Sequence, residues 1–225
     1  MTCRDNDFVA TAETQRKRAN DMKLGILGTG HVAQLLAAAW KKAEHDITLG
    51  SRDPGSKSVA FPVKTLVEAA SSADIIVNAI IGSAGLETIS SIDADAFTGK
   101  TVVDVSNAVT PTFDLIYPNG SLAEKLQEAL PNAHIVKSMN TASMTLITNP
   151  TRIGPSSVFL SGNNAEAKSE TAGLLRDLGW NDDEIVDLGG IESARGAEAY
   201  LLMFATLAGA LKTDAVNVRV VRLKG

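Results

Sequence analysis

Apolar and polar positions alternate in blocks along this chain, and each change of period marks a change of element. Short apolar runs at residues 23–27, 46–50, 74–80, 101–105, 134–139, 157–160 and 184–188 have strand length. Between them lie stretches with helical spacing, at residues 31–43, 63–71, 82–89, 121–130 and 165–178. Pro131 closes one of these and Gly179 another. The run DIIVNAI at 74–80 is apolar almost throughout, as a strand buried on both faces must be. Strands alternating with helices from end to end predict an α/β fold with a doubly wound, mostly parallel sheet. From residue 193 to about residue 221 the pattern reads as one long helix, with a kink expected near Gly209.

The joint between the first strand and the first helix carries the first chemistry. Residues 23–33 read KLGILGTGHVA, a strand running into Gly28-Thr29-Gly30-His31-Val32-Ala33 and then a helix. Gly28 permits the tight turn, Gly30 lets the backbone approach a pyrophosphate, and Ala33 is small enough for close packing of helix on strand. The free N–H groups at the helix start, at His31 and Val32, then face negative charge where the helix dipole favours it. With a second strand following, this is a dinucleotide-binding β-α-β unit of the Rossmann type.

The end of that second strand predicts which dinucleotide. An NAD site places Asp or Glu there for the ribose 2′-OH. This chain has Ser51 and Arg52, a hydroxyl and a guanidinium suited to a 2′-phosphate, with Lys57 as a further contact. Asp53, next to Pro54, is expected to point away or to cap a turn. The pattern therefore predicts NADP(H) over NAD(H). Ligands of open α/β sheets lie outside the carboxyl ends of the strands. That rule adds Asn78, Ala79, Ile80, Ile81 and Gly82 after the third strand, Ser106 and Asn107 after the fourth and Asn140 and Thr141 after the fifth, with Gly189 and Gly190 after the seventh. The polar ones suit a ribose or a nicotinamide carboxamide, or serve tight turns.

Size and composition change this picture little. The 225 residues carry a formal charge of −5 with scattered basic residues, which argues against a nucleic-acid surface. No apolar stretch reaches membrane-spanning length, and the lone Cys3 supports neither a disulfide framework nor a cysteine metal site. Residues 1–21 lack a secretory pattern and read as a mobile extension; cytoplasmic residence is expected. Residues 22–190 form the nucleotide-binding domain, and residues 191–225 a helical segment. Its run AEAYLLMFATLAGAL is apolar on more than one face, so it packs either on the sheet or on its own copy in a homodimer.

Candidate acids and bases are scarce. Tyr117 and Tyr200 lack a lysine four residues on, His31 opens a helix, His45 lies in a loop, and His134 and Lys137 fall within a strand. A site of this kind can still pass hydride between two bound rings if the acceptor is itself a cofactor, its ring doing the chemistry while the protein holds the two at short range.

The segments KLGILGTGHVA at 23–33, LGSRDP at 49–54, VVDVSN at 102–107, KSMNT at 137–141 and DLGGIESAR at 187–195 resemble the NADPH:coenzyme F-420 oxidoreductase family. The resemblance covers roughly residues 22–215. It implies one Rossmann domain with a small C-terminal portion, and direct hydride transfer between nicotinamide and a deazaflavin without a catalytic side chain. It implies the pyrophosphate loop at Thr29–Val32 and the 2′-phosphate site at Ser51 and Arg52. The residues also leave open free flavin as acceptor, a small imine or carbonyl substrate, and a non-catalytic NADP(H) sensor.

Overall fold

A computed structural model describes residues 22–222; the extension expected at residues 1–21, with Cys3, lies outside the described residues. Eight strands form one sheet in the order β3-β2-β1-β4-β5-β6-β7-β8. They are β1 (Lys23–Leu27), β2 (Asp46–Ser51), β3 (Val63–Thr65), β4 (Ile75–Asn78), β5 (Thr101–Asp104), β6 (His134–Ser138), β7 (Val158–Gly162) and β8 (Ile185–Asp187). The helices are α1 (His31–Lys42), α2 (Leu66–Ser71), α3 (Gly82–Ser90), α4 (Leu122–Ala129), α5 (Met144–Ile147), α6 (Ala165–Asp177) and α7 (Ala194–Leu211). The chain runs outward from β1 to β3 and then returns to β4 beside β1, so the strand order reverses there.

The period of two along each central strand sorts side chains into two cores. Ile75 and Val77 of β4, Val103 of β5 and Val136 of β6 join a layer under α1 and α6. Ile76, Val102 and Ile135, from the same strands, face the other way, toward α2, α3 and α4. Trp40 and Trp180 sit in the first layer, and their indole N–H groups donate to Leu174 O at 3.0 Å and Ile147 O at 2.9 Å. Phe97 fills the second.

Three expectations are corrected. Residues 63–71 are not one helix: Val63–Thr65 pair with β2, and α2 begins only at Leu66. Thr65 ends the strand by closing a capping box, its Oγ1 accepting from Glu68 N at 3.2 Å while the Glu68 carboxylate accepts from Thr65 N at 2.9 Å. The sheet is mostly parallel, as expected: β1–β6 are parallel, while β7 runs antiparallel to β6 and β8 follows β7. Between β6 and β7 the chain forms only α5 and a 3₁₀ turn at Pro150–Arg152, in place of the full crossover helix that a parallel return uses. The reversal carries Gly189 and Gly190, after β8, to the opposite sheet edge from the carboxyl ends of β1–β6. Lastly, α7 stops at Leu211, where Lys212 turns left-handed at φ 54°. The valine-rich segment beyond suits extended backbone better than helix. It docks on the start of β7, with Ser157 N donating to Val218 O at 2.8 Å.

Of α7 only Ala194, Ala197 and Glu198 are buried; Leu202 and Met203 are exposed. Among the described residues no helix is long and apolar enough to cross a membrane.

The first core predicts a measurable loss. Trp40→Ala removes a fully buried indole and should lower the free energy of unfolding by about 3–5 kcal/mol. In urea denaturation the midpoint should fall with the slope unchanged.

Candidate functional site

A cleft of about 640 Å³ opens over the carboxyl ends of β1, β2, β4 and β5, where the strand order reverses. Open α/β sheets bind their ligands at this place. At its centre the loop after β1 turns into α1. Gly28 has φ +125°, and a Cβ there would stand 2.8 Å from Ala79 O, so both backbone and space require glycine. Gly30 is different. Its φ of −75° and ψ of −176° suit any residue, and a Cβ would meet nothing within 4 Å. Neither crowding nor backbone angle demands a glycine at 30; as the N-cap of α1 it leaves bare backbone that a ligand can approach. The side chain of Gln34 donates to Thr29 O at 2.9 Å and fixes the loop. α1 begins with no side-chain cap and no acidic residue in its first turn. Its first N–H groups therefore have no partner inside the helix, and its dipole is left uncompensated. The cleft meets the loop and these N–H groups at Thr29, His31 and Val32. A phosphate fits that cradle.

At the outer end stand Ser51, Arg52, Asp53 and Lys57. Ser51 is the last residue of β2 and is buried, its Oγ accepting from Asp53 N at 3.1 Å. Asp53 precedes a 3₁₀ turn at Pro54–Ser56 but makes no side-chain cap there, and it lines the cleft instead of pointing away. Two cations and one carboxylate leave this end positive, because Arg52 and Lys57 outnumber Asp53.

The inner end is of another character. Ala79, Ile80, Ile81 and Val105 give it an apolar lining, with Gly82, Thr88, Ser106 and Asn107 as its remaining members. None of these titrates as an acid or base. Gly82 opens α3 hard against the strand-five loop, where a Cβ would run into the Asn107 carbonyl.

Behind this wall lies a buried charge network. Lys137 of β6 donates to Asp104 Oδ2 at 2.8 Å, pairs with Glu198 Oε1 of α7 at 3.0 Å and donates to the Ser106 carbonyl. Burial alone would push its ammonium pKa down, but Asp104 and Glu198 outweigh that and hold it above the ordinary lysine range. Asp104 Oδ1 accepts from Asn78 Nδ2 at 2.9 Å and Ser106 N at 3.2 Å. Glu198 accepts from Leu122 N at 2.9 Å and Ala123 N at 3.2 Å, at the start of α4.

The structure thus brings Gly28, Thr29, Gly30, His31, Val32, Ser51, Arg52, Lys57, Ala79, Ile80, Ser106 and Asn107 to one cleft. It places Asn78 and Asn140 beneath the lining. Asn78 is fully buried and ties β4 to Asp104. Asn140 donates to Asn107 Oδ1 at 3.0 Å and to Ala197 O at 2.9 Å. Met139, before it, is left-handed at φ 60°. Glu198 escapes the sequence reading, which has Lys137 only as a strand residue. His45 is wholly buried with Nε2 3.1 Å from Asp177 Oδ2, and His134 stands at the amino end of β6, both away from the cleft. No group of three or more side chains able to hold a metal ion occurs among the described residues.

Comparison with known proteins agrees with this geometry. Residues 23–108 match the family profile described as NADP oxidoreductase, coenzyme F420-dependent. A solved structure from Arthrobacter sp. FB24, named provisionally as an F420-dependent NADP-reductase, is 34% identical with a TM-score of 0.84, over 89% of this chain and 100% of that one. Metalloreductase STEAP3 of Rattus norvegicus is 32% identical over 181 residues, which is 79% of this chain; the chain spans 36% of that relative's length. A pyrroline carboxylate reductase of Plasmodium falciparum with NADP bound is 18% identical with a TM-score of 0.56, over 86% of this chain and 70% of that one, a likeness of fold alone. With a phosphate cradle, a positive outer end and these relatives, the chain belongs to the family of coenzyme F420-dependent NADP oxidoreductases, and is an NADP-dependent oxidoreductase.

Proposed function

We propose that this protein passes hydride between NADP(H) and a deazaflavin of the F420 kind, both held in the one cleft. The observation that carries the reading is the division of that cleft: cations at one end, and no titratable side chain at the other. Gly28, Thr29, Gly30, His31 and Val32 hold the pyrophosphate against the start of α1. Ser51, Arg52 and Lys57 grip the 2′-phosphate, with the guanidinium able to engage two oxygens. Ala79 and Ile80 floor the ribose and nicotinamide, and Ser106 and Asn107 bound them. Asn78 and Asn140 support that wall from behind.

The chemistry supplied by the bound coenzyme is hydride donation from its dihydronicotinamide ring. The protein's part is to keep water off with Ile80, Ile81 and Val105, and to hold two rings face to face. The alternative that the sequence leaves open is free flavin as the acceptor, whose ring the same apolar inner end would take. The exposed Leu202 and Met203 of α7 would be covered in a homodimer.

Gly30→Ala separates binding from folding. Adding a Cβ at this uncrowded N-cap should change stability by no more than about 1 kcal/mol, because chain entropy favours alanine and the N-cap preference favours glycine. Calorimetry should nonetheless show NADPH binding weakened at least about tenfold, or 1.4 kcal/mol. Unchanged affinity would remove the pyrophosphate from this loop. Arg52→Ala should cost NADPH about 1.5–3 kcal/mol and leave NADH binding unmoved, since only one of the two carries the phosphate. Equal losses for both would contradict the 2′-phosphate assignment. For the acceptor, oxidation of NADPH is followed at the nicotinamide absorbance band with F420, FMN or a cyclic imine added in turn. Turnover with F420 alone is expected, and turnover with only FMN transfers the assignment to the flavin reading.

A further inference from the structure

A lysine ammonium has three N–H donors. Those of Lys137 meet three acceptors: Asp104 Oδ2, Glu198 Oε1 and the Ser106 carbonyl. Ser106 is held at every polar atom. Its N–H donates to Asp104 Oδ1 at 3.2 Å, its hydroxyl to Ile80 O at 2.7 Å, and its carbonyl accepts from Lys137.

The peptide joining Ser106 to Asn107 is trans, so its C=O and N–H point in opposite directions. With the carbonyl drawn inward to a buried ammonium, the Asn107 N–H is turned outward, and both residues line the cleft. That N–H has no acceptor among the described residues. The Asn107 side chain is committed elsewhere, donating to Asn140 O at 2.8 Å and accepting from Asn140 Nδ2 at 3.0 Å. What Asn107 offers a ligand is therefore its backbone donor.

We propose that Lys137 is a positioning residue: it turns the 106–107 peptide so that the Asn107 N–H donates to the carboxamide oxygen of bound nicotinamide. This rests on the reading of the cleft's inner end as the nicotinamide site. Glu198 makes α7 a partner in the arrangement, because it supplies the second carboxylate that lets an ammonium stay there. A neutral side chain of similar volume at 137 would leave the Ser106 carbonyl unpaired and free to swing toward the cleft. The ring would then sit askew while the phosphates, gripped at the far end, stayed bound.

Residue-resolved amide hydrogen exchange on the full chain, with and without saturating NADP⁺, tests both halves. In the wild type NADP⁺ should slow exchange at Asn107 about tenfold or more, along with the loop amides at Gly30, His31 and Val32. In Lys137→Met the loop amides should keep that protection and Asn107 should lose it. Affinity for NADP⁺ should stay within about threefold, while hydride transfer per NADP-binding site falls about 10²-fold, the usual cost of a 1 Å misplacement. A merely structural lysine would lower the folded fraction and leave the rate per binding site alone. The combined D104N/K137M/E198Q variant removes every buried charge and guards against a lone variant that does not fold. It too should lose protection at Asn107 only. Protection of the loop without Asn107 in the wild type overturns this proposal alone, and so does wild-type protection of Asn107 in either variant. No protection anywhere overturns the cleft reading with it.

Discussion

Taking an ammonium and two carboxylates out of water costs several kcal/mol per ion, and a well-packed apolar cluster of the same volume is often as stable. The knot of Asp104, Lys137 and Glu198 is tolerable because its hydrogen-bonding capacity is well used. The ammonium spends its donors on three oxygens, and the carboxylates collect backbone N–H groups from Ser106, Leu122 and Ala123 and the amide of Asn78. The start of α4 adds its dipole to the Glu198 side. One ionic contact thereby fixes β4, β5, β6, α4 and α7 relative to one another. Stability alone does not account for it. Geometry does, since removing the lysine strands two buried carboxylates, and removing any partner releases the wall of the cleft.

The cleft itself is built from two kinds of constraint. At β1 and β2 the sheet delivers backbone: a left-handed Gly28, an uncapped helix and a bare Gly30. Further along, at β4 and β5, it delivers surface: Ala79, Ile80 and Val105, set at fixed height by strand register. An anion meets the first and an aromatic ring the second. The close approach of Gly28 to the Ala79 carbonyl joins the two halves, and that of Gly82 to the Asn107 carbonyl closes the second, because any larger residue would push α3 away from the strand-five loop.

Where periodicity and local chemistry agree, the sequence was enough. The glycine loop, α1, the apolar run of β4 and the Ser51-Arg52 pair are all specified within a few residues. The failures share a cause. β3 is three residues paired to a distant strand, and nothing local distinguishes it from the first turn of α2. The direction of β7 depends on the whole path from β6, which no window of residues contains. The helical period continues past Leu211, yet Lys212 ends α7 and Val218 bonds to Ser157, far away in sequence. The charge network did leave a trace. Asp104 in VVDV, Lys137 in HIVKS and Glu198 in AEAYLL each set a charge in an apolar run, and a base among two acids asks for them to be brought together.

That trace bears on the final helix. Its apolar sequence predicts burial, yet its outer half is only half-buried or exposed, and its fully buried residues all lie in its first turns. The packed part is also the part that reaches the site: Glu198 meets Lys137, and the Ala197 carbonyl accepts from Asn140, which in turn brackets Asn107. The inner end of α7 is thus a component of the cleft wall, while its outer end is a surface. Any shift of α7 along its axis would be felt first at Glu198, and through one ammonium at the peptide that borders the cleft.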